Sequence, residues 1–338
     1  MERIIVKVNS GEPLPYDEAE LLFEGMVRGD LSDSQIASAL IAIKLRRETV
    51  DELSALVATL DRHKQRLAIQ REGTVDTCGT GGDGKSSVNV STAVSVVLCS
   101  LGIPVVKHGN RAQSGAVGSA DILAGLGFDL GYTGSSPEDF FSTHGYVFMS
   151  APDYHPAMKR IAPVRRELKV PTVFNYAGPL INPADPEFQI IGINRRDRID
   201  FIGRVLEKLG RRNVTVYSSR DGYDEVSPSG ETECLHIGEG APRRFTVDPS
   251  DYFTPFPMPA ARDLREATRL FIDGLSGENE LLGYLFALNT ALALRSMNRC
   301  GIRDGFHIAL EHINQGHPFR KLEELTGSIG SAVSLPGA

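Results

Sequence analysis

The grammar of the sequence changes after Glu72, and that change constrains the fold more than any single motif. Thr74-Val75-Asp76-Thr77-Cys78 reads as a strand running into the loop Gly79-Thr80-Gly81-Gly82-Asp83-Gly84. A helix follows from about Ser91 to Leu101, with Val94, Val97, Leu98 and Leu101 on one face. Ile103–Val106, Tyr146–Met149, Gln189–Ile193 and Val214–Tyr217 read as further strands, and Asp200 to Leu209 as a helix. Strands alternating with helices imply a mostly parallel sheet covered on both faces. Leu235–Ile237 and Phe245–Val247, joined across a Gly- and Pro-bearing turn, read as an appended hairpin. Leu281 to Met297 is apolar nearly all round, the pattern of a buried helix.

Ahead of that break the chain reads as helices only. Ser32-Asp33-Ser34-Gln35 and Thr49-Val50-Asp51-Glu52 are capping-box patterns. Behind the second, Leu53, Leu56, Val57 and Leu60 form one helical stripe, and an earlier helix is expected over Tyr16 to Val27. The sequence therefore predicts an α/β protein with a small helical domain over 1–71 and a larger α/β domain over 72–338.

Composition removes several classes. With 36 Lys plus Arg against 43 Asp plus Glu the net charge is −7, which argues against neutralising a duplex's phosphates. The longest apolar stretch, Thr92 to Val106, is interrupted by Ser95, Ser100 and Pro104 and is shorter than the ~18 residues a membrane span needs. The N-terminus, Met1 to Lys7, lacks a signal peptide's pattern. Cys78, Cys99, Cys234 and Cys300 contain no CxxC pair, so reduced thiols in a cytoplasmic chain are expected. The histidines form no metal-ligand spacing; His307 and His312, five apart on an expected helix, read as surface residues.

Three constellations carry chemistry. The Gly79–Gly84 loop lets backbone close on phosphate oxygens, and the helix start behind it adds N–H groups, with Asn89, Ser91 and Thr92 as side-chain donors. It is neither a P-loop nor a GxGxxG dinucleotide turn, and glycine-rich strand-to-helix turns also occur without ligands, with Ser91 as a simple N-cap. Lys107-His108-Gly109-Asn110-Arg111 follows the strand Ile103–Val106, placing cations where open α/β sheets bind ligands, beside the small-residue loop Ser114 to Ser119. Asp224-Glu225, in a loop past Val214–Tyr217, are either solvated acids or, opposite a phosphate cradle, ligands for Mg²⁺.

Taken together these segments resemble the anthranilate phosphoribosyltransferase family. The resemblance rests on Asp76 to Asp83, Asn89-Val90-Ser91-Thr92, Lys107 to Arg111 and Gly118-Ser119-Ala120-Asp121. It extends through His155-Pro156-Ala157-Met158-Lys159, Pro163-Val164-Arg165, Phe174-Asn175, Gly178 to Pro183 and Asp224-Glu225-Val226-Ser227, in order over about residues 1 to 330. It implies the nucleoside phosphorylase-like phosphoribosyltransferase fold, in which a segment near 155–185 returns to the helical domain. A homodimer through the helical domains is implied as well, with no nucleic-acid or membrane partner.

The same resemblance implies transfer of a phosphoribosyl group from phosphoribosyl diphosphate to the amine of anthranilate, in tryptophan biosynthesis, with two Mg²⁺ ions. Gly79, Gly82, Asp83, Asn89, Ser91, Thr92, Lys107 and Ser119 would hold the donor. Ser91, Asp224 and Glu225 would serve the metal. Gly79, His108, Asn110, Ala151, Pro152, His155, Met158, Arg165 and Gly178 would line the anthranilate path, with Arg165 facing the carboxylate. No residue is implied as a general acid or base, since an aryl amine is already neutral at pH 7. The chain departs from the family pattern at Ala116-Val117, Ala177 and Ser218-Ser219. Two rivals remain at this level: a pyrimidine nucleoside phosphorylase-like enzyme, which needs no acidic pair, and a non-catalytic nucleic-acid-binding relative.

Overall fold

The computed structural model describes residues 1–81, 85, 88–112 and 117–327. Gly82, Asp83 and Gly84, and residues 114–116 of the second small-residue loop, lie outside the described residues. Four helices precede the first strand: α1 (Glu2–Asn9), α2 (Tyr16–Arg28), α3 (Asp33–Arg46) and α4 (Val50–His63). Both capping boxes form. Ser32 Oγ accepts from the Gln35 N–H while the Gln35 side chain accepts from the Ser32 N–H, and Thr49 and Glu52 repeat the exchange. Helix-start donors that would otherwise be orphaned are thus satisfied by the residues the pattern marks. Glu52 also goes beyond capping. Fully buried, its carboxylate accepts the Leu14 N–H at 3.0 Å and pairs with the Arg46 guanidinium.

The α/β region runs β1 (Val75–Gly79), α5 (Val90–Ser100), β2 (Val105–Gly109), α6 (Ser119–Gly125), α7 (Pro137–His144), β3 (Tyr146–Ser150), α8 (Ala151–Tyr154) and α9 (Met158–Leu168). It continues with β4 (Phe188–Gly192), α10 (Ile199–Lys208), β5 (Val214–Ser219), β6 (Thr232–Ile237) and β7 (Arg243–Val247). The last helices are α11 (Leu264–Leu275), α12 (Glu280–Ser296), α13 (Ile302–Asn314) and α14 (His317–Thr326). One seven-stranded sheet has the order β3-β2-β1-β4-β5-β6-β7. The first five strands are parallel, and β6 and β7 extend the edge as the antiparallel hairpin expected from the sequence.

Alternate residues along the strands feed two cores, as a period of two requires. Ile190, Tyr217 and Cys234 face the core that holds α5 and α12. Ile191, Val216 and Leu235 face the other, which is continuous with α10, with Ile161 and Val164 of α9, and with the N-terminal helices. Helix α9 packs on α2 and α3, and α10 on α4. The chain leaves β1 toward β2 and β3, then returns to place β4 on the opposite side of β1. Strand order therefore reverses between β1 and β4, and the crevice at their C-terminal ends is where such sheets take ligands.

Two local expectations are corrected. Strand β2 begins at Val105 and runs through Gly109, because Pro104 has no N–H to give a ladder while pairing with β3 continues to Gly109 and Ser150. Lys107 and His108 therefore sit inside the sheet, not in a loop after it. His312 is half-buried, its ring stacked on His317 at 4.4 Å, whereas His307 is exposed as expected.

Glu52 supplies a stability test. Glu52→Ala strands a half-buried guanidinium and a buried N–H, and is expected to lower unfolding free energy by about 2 kcal/mol, read as a lower urea midpoint at unchanged slope. A midpoint equal to wild type would remove Glu52 as a strut of the helical region.

Candidate active site

A cleft of about 480 Å³ opens at the reversal point. Every described residue singled out in the sequence as a donor, acceptor or metal contact lines it. The floor is made by the ends of the central strands. Gly79 and Gly192 are the last residues of β1 and β4 and pair with each other. Asp224 rests on both: a Cβ on Gly79 would overlap its carboxylate, and one on Gly192 would overlap its backbone carbonyl. The acid loop can lie there only because neither strand end carries a side chain.

The two acids are held by neighbouring backbone. Asp224 Oδ2 accepts the Gly81 N–H at 2.8 Å, and Glu225 accepts the Ser91 N–H at 3.2 Å and the Tyr217 hydroxyl at 3.3 Å. Both acids are buried. Desolvation, with the neighbouring Asp224 charge, pushes the Glu225 carboxyl well above its ordinary range. Asn289 of α12 anchors the loop from beneath, accepting the Val226 N–H at 2.8 Å and donating to the Val226 and Leu285 carbonyls.

On the other side of the floor, the start of α5 presents Asn89, Ser91 and Thr92. The N-cap is Asn89, not Ser91, and its side chain does not cap; its amide donates to the Val117 carbonyl at 3.1 Å. Asn89 Oδ1, Thr92 Oγ1 and Thr80 Oγ1 are buried without a protein partner among the described residues. Orphaned polar atoms lining a cleft are costly unless a ligand satisfies them. Lys107 is buried beside them, its ammonium donating to the Thr77 carbonyl at 2.6 Å and lying 3.4 Å from Ser91 Oγ. Burial lowers its pKa, while buried Asp76, which accepts the His108 N–H, pulls the other way. Ser119, at the start of α6, exchanges hydrogen bonds with the Asn110 backbone.

The opposite wall is less polar. His108 Nδ1 lies 3.2 Å from the Gly178 carbonyl, which sets the tautomer with Nε2 bare. The His155 ring meets it edge-on, 5.0 Å between centroids. Burial pushes His108 down to about 3 and His155 to about 4, so both are neutral at pH 7. Ala151 and Pro152 open α8, His155 closes it, and Met158 and Arg165 project from α9. The Arg165 guanidinium is 5.5 Å from the Phe174 ring centroid and donates to Asn175 Oδ1 at 3.3 Å. Among the described residues no carboxylate pairs with it.

Sequence reasoning missed Gly192, Tyr217 and Asn289, which lie far along the chain from what they support and carry no local pattern. Of the departures from the family pattern, Val117 supplies the carbonyl that holds Asn89, Ser219 braces the turn before Asp224, and Ala177 is buried along the cleft wall. Ala116 lies outside the described residues.

Comparison with known proteins gives the family and the fold. A profile described as "Glycosyl transferase family, a/b domain" matches residues 71–319, and one described as "Glycosyl transferase family, helical bundle domain" matches residues 2–64. Anthranilate phosphoribosyltransferase of Pyrobaculum islandicum is 38% identical over 326 residues, covering 96% of this chain and 98% of its own. The crystal structure of the Thermus thermophilus anthranilate phosphoribosyltransferase superposes with a TM-score of 0.88 at 30% identity, covering 96% of this chain and 99% of that one. The Saccharomyces cerevisiae enzyme, solved in complex with PRPP and Mg, superposes at 0.79 with 23% identity, covering 93% and 92%, and so shares the fold. With its helical bundle, its mostly parallel sheet and relatives matched nearly end to end, the chain belongs to the anthranilate phosphoribosyltransferase family.

Proposed function

We propose that this chain transfers the phosphoribosyl group of phosphoribosyl diphosphate to the amine of anthranilate, releasing diphosphate, as a step of tryptophan biosynthesis. The observation that carries the reading is a division of labour in one cleft. Among the described residues, paired buried acids and orphaned hydroxyls line one side, and a guanidinium without a carboxylate partner lines the other, with two neutral imidazoles.

The acid side fits Mg²⁺. Its donors are hard oxygens, and the described residues contain no cluster of three or more His, Cys, Asp or Glu that would enclose a metal. Mg²⁺ takes one or two carboxylates and completes its shell with water and substrate phosphates. Asp224, Glu225 and Ser91 would hold it, as two ions, and when bound it would neutralise charge developing on the departing diphosphate. Gly79, Asn89, Ser91, Thr92, Lys107 and Ser119 then hold the donor, together with Gly82 and Asp83. Lys107, dry and close to Ser91, adds fixed positive potential where water cannot screen it.

The acceptor lies along Gly79, His108, Asn110, Ala151, Pro152, His155, Met158, Arg165 and Gly178. Arg165 receives the carboxylate in a planar fork. His108, with Nδ1 committed to Gly178, offers Nε2 as an acceptor that can orient the amine. Histidines shifted this far down are neutral and weakly basic at pH 7, so the rate comes from alignment and electrostatics.

We further propose the boundary near residues 71 and 72 as the junction of the helical and α/β domains. Val6, Leu21 and Leu45, exposed at 65%, 56% and 79% on α1, α2 and α3, support a homodimer through the helical domain. Free, buried Cys78, Cys99 and Cys234 suit a cytoplasmic setting.

Mixing the protein with phosphoribosyl diphosphate and anthranilate is expected to give N-(5-phosphoribosyl)anthranilate only with Mg²⁺; turnover in excess chelator would contradict the reading. Glu225→Gln should lower turnover about 10²-fold or more. Its folded-state pKa lies above the unfolded value, so its stability contribution is present at low pH and lost as pH rises through the folded pKa. Without metal, the Gln variant should therefore melt no lower than wild type and lose less stability as pH rises, whereas a lower melting point would make Glu225 a structural acid.

Arg165→Lys should weaken anthranilate binding by about 2 kcal/mol and leave donor binding unmoved. Aniline, which keeps the amine without the carboxylate, should be a poor acceptor. Efficient use of aniline would show that Arg165 reads no carboxylate.

A further inference from the structure

The loop bearing Asp224 and Glu225 is contacted by Gly81 and by Lys85, two described residues on either side of the glycine turn. At the near end, the Gly81 N–H donates to Asp224. At the far end stands Lys85: its ammonium lies 3.8 Å from the centroid of the Tyr223 ring and donates to the Asp221 carbonyl. Tyr223 and Asp221 both belong to the turn immediately before the two acids.

That turn is braced from within. Ser219 Oγ accepts the Tyr223 N–H at 2.8 Å and donates to the Tyr223 carbonyl at 2.9 Å. The Asp221 carboxylate accepts the hydroxyls of Ser227 and Ser229, each at 2.6 Å. Gly222 takes φ +80°, a conformation side chains disfavour, and leaves room for the Lys85 ammonium 3.5 Å from where its Cβ would stand. A stiff turn on one loop is therefore gripped by a cation from the other.

We propose that Lys85 is a positioning residue which, through Tyr223 and Asp221, holds its own stretch of chain against the turn before the acids, so that metal and diphosphate meet acid ligands already in place. This rests on the transferase reading above. Positioning of this kind lowers the ordering cost of binding and adds no contact to the reacting atoms. The ring face of Tyr223 makes the contact, so phenylalanine serves as well and leucine does not. Arginine retains both the stacking and the donated hydrogen bond, and methionine retains neither.

The test is a titration of Mg²⁺ at fixed phosphoribosyl diphosphate, followed by heat of binding and by the rise in melting temperature. Lys85→Met and Tyr223→Leu are each expected to raise the half-saturating Mg²⁺ concentration about threefold to tenfold, the size of one cation–π contact with one hydrogen bond. Lys85→Arg and Tyr223→Phe should restore it, the KM for anthranilate should not move, and the double variant should be no worse than either single one. If Lys85→Met weakens binding but Tyr223→Leu does not, or if the two effects add, Lys85 acts on the diphosphate itself and the proposal is overturned. Wild-type binding with all variants unmoved overturns the positioning role alone. A wild type that binds no donor with Mg²⁺ overturns the transferase reading, and the positioning role with it.

Discussion

The arrangement depends on one close approach. Where β1 and β4 end side by side, Gly79 and Gly192 leave the sheet edge bare, and Asp224 settles on it. The acid side of the cleft is referred to that seat. Gly81 bonds Asp224, Ser91 bonds Glu225, and Ser91 also lies beside Lys107, so strand end, helix start and acid loop form one hydrogen-bonded unit. The reversal of strand order opens the crevice, and the two glycines let an acidic loop occupy its floor.

Such a site costs the folded protein stability, and the costs point to the ligand. Glu225 lies buried beside Asp224, and burial pulls the pKa of the Lys107 ammonium down. Asn89, Thr92 and Thr80 each leave a buried oxygen without a partner among the described residues. Buried charges and orphaned polar atoms are unfavourable in an empty pocket. A metal held by the acids, with a phosphorylated donor in the cleft, would offset these costs. Arg165, partly desolvated with no acid beside it among the described residues, asks equally for an anion at the opposite end.

Legibility in the sequence followed physical range. The capping boxes at Ser32 and Thr49, the strand at Val75, the hairpin of β6 and β7 and the buried helix α12 were visible because each is set by residues within a turn or two of one another. The strand beginning at Val105 was misplaced because pairing with β3, not local apolarity, decides how far it runs. The same cause moved Lys107 and His108 from a loop into the sheet. Within the site, glycine loop, cation cluster and acid pair were legible as motifs, and the fold brings them to one cleft. Gly192, Asn289 and Tyr217 were not, because a glycine in a strand or an asparagine in an apolar helix signals nothing until its distant partner is in place.

The seat of Asp224 is the central claim, and Gly192→Ala addresses it most directly. The measurement is calorimetric titration of the variant with phosphoribosyl diphosphate in the presence of Mg²⁺, alongside its far-UV spectrum. Because the added methyl must displace the acid-loop backbone, the account expects Mg²⁺-dependent donor binding to weaken at least about tenfold, a penalty within the range for overpacking, with secondary structure retained. Donor binding equal to wild type would show that the acids do not depend on the bare strand ends, and would contradict the account.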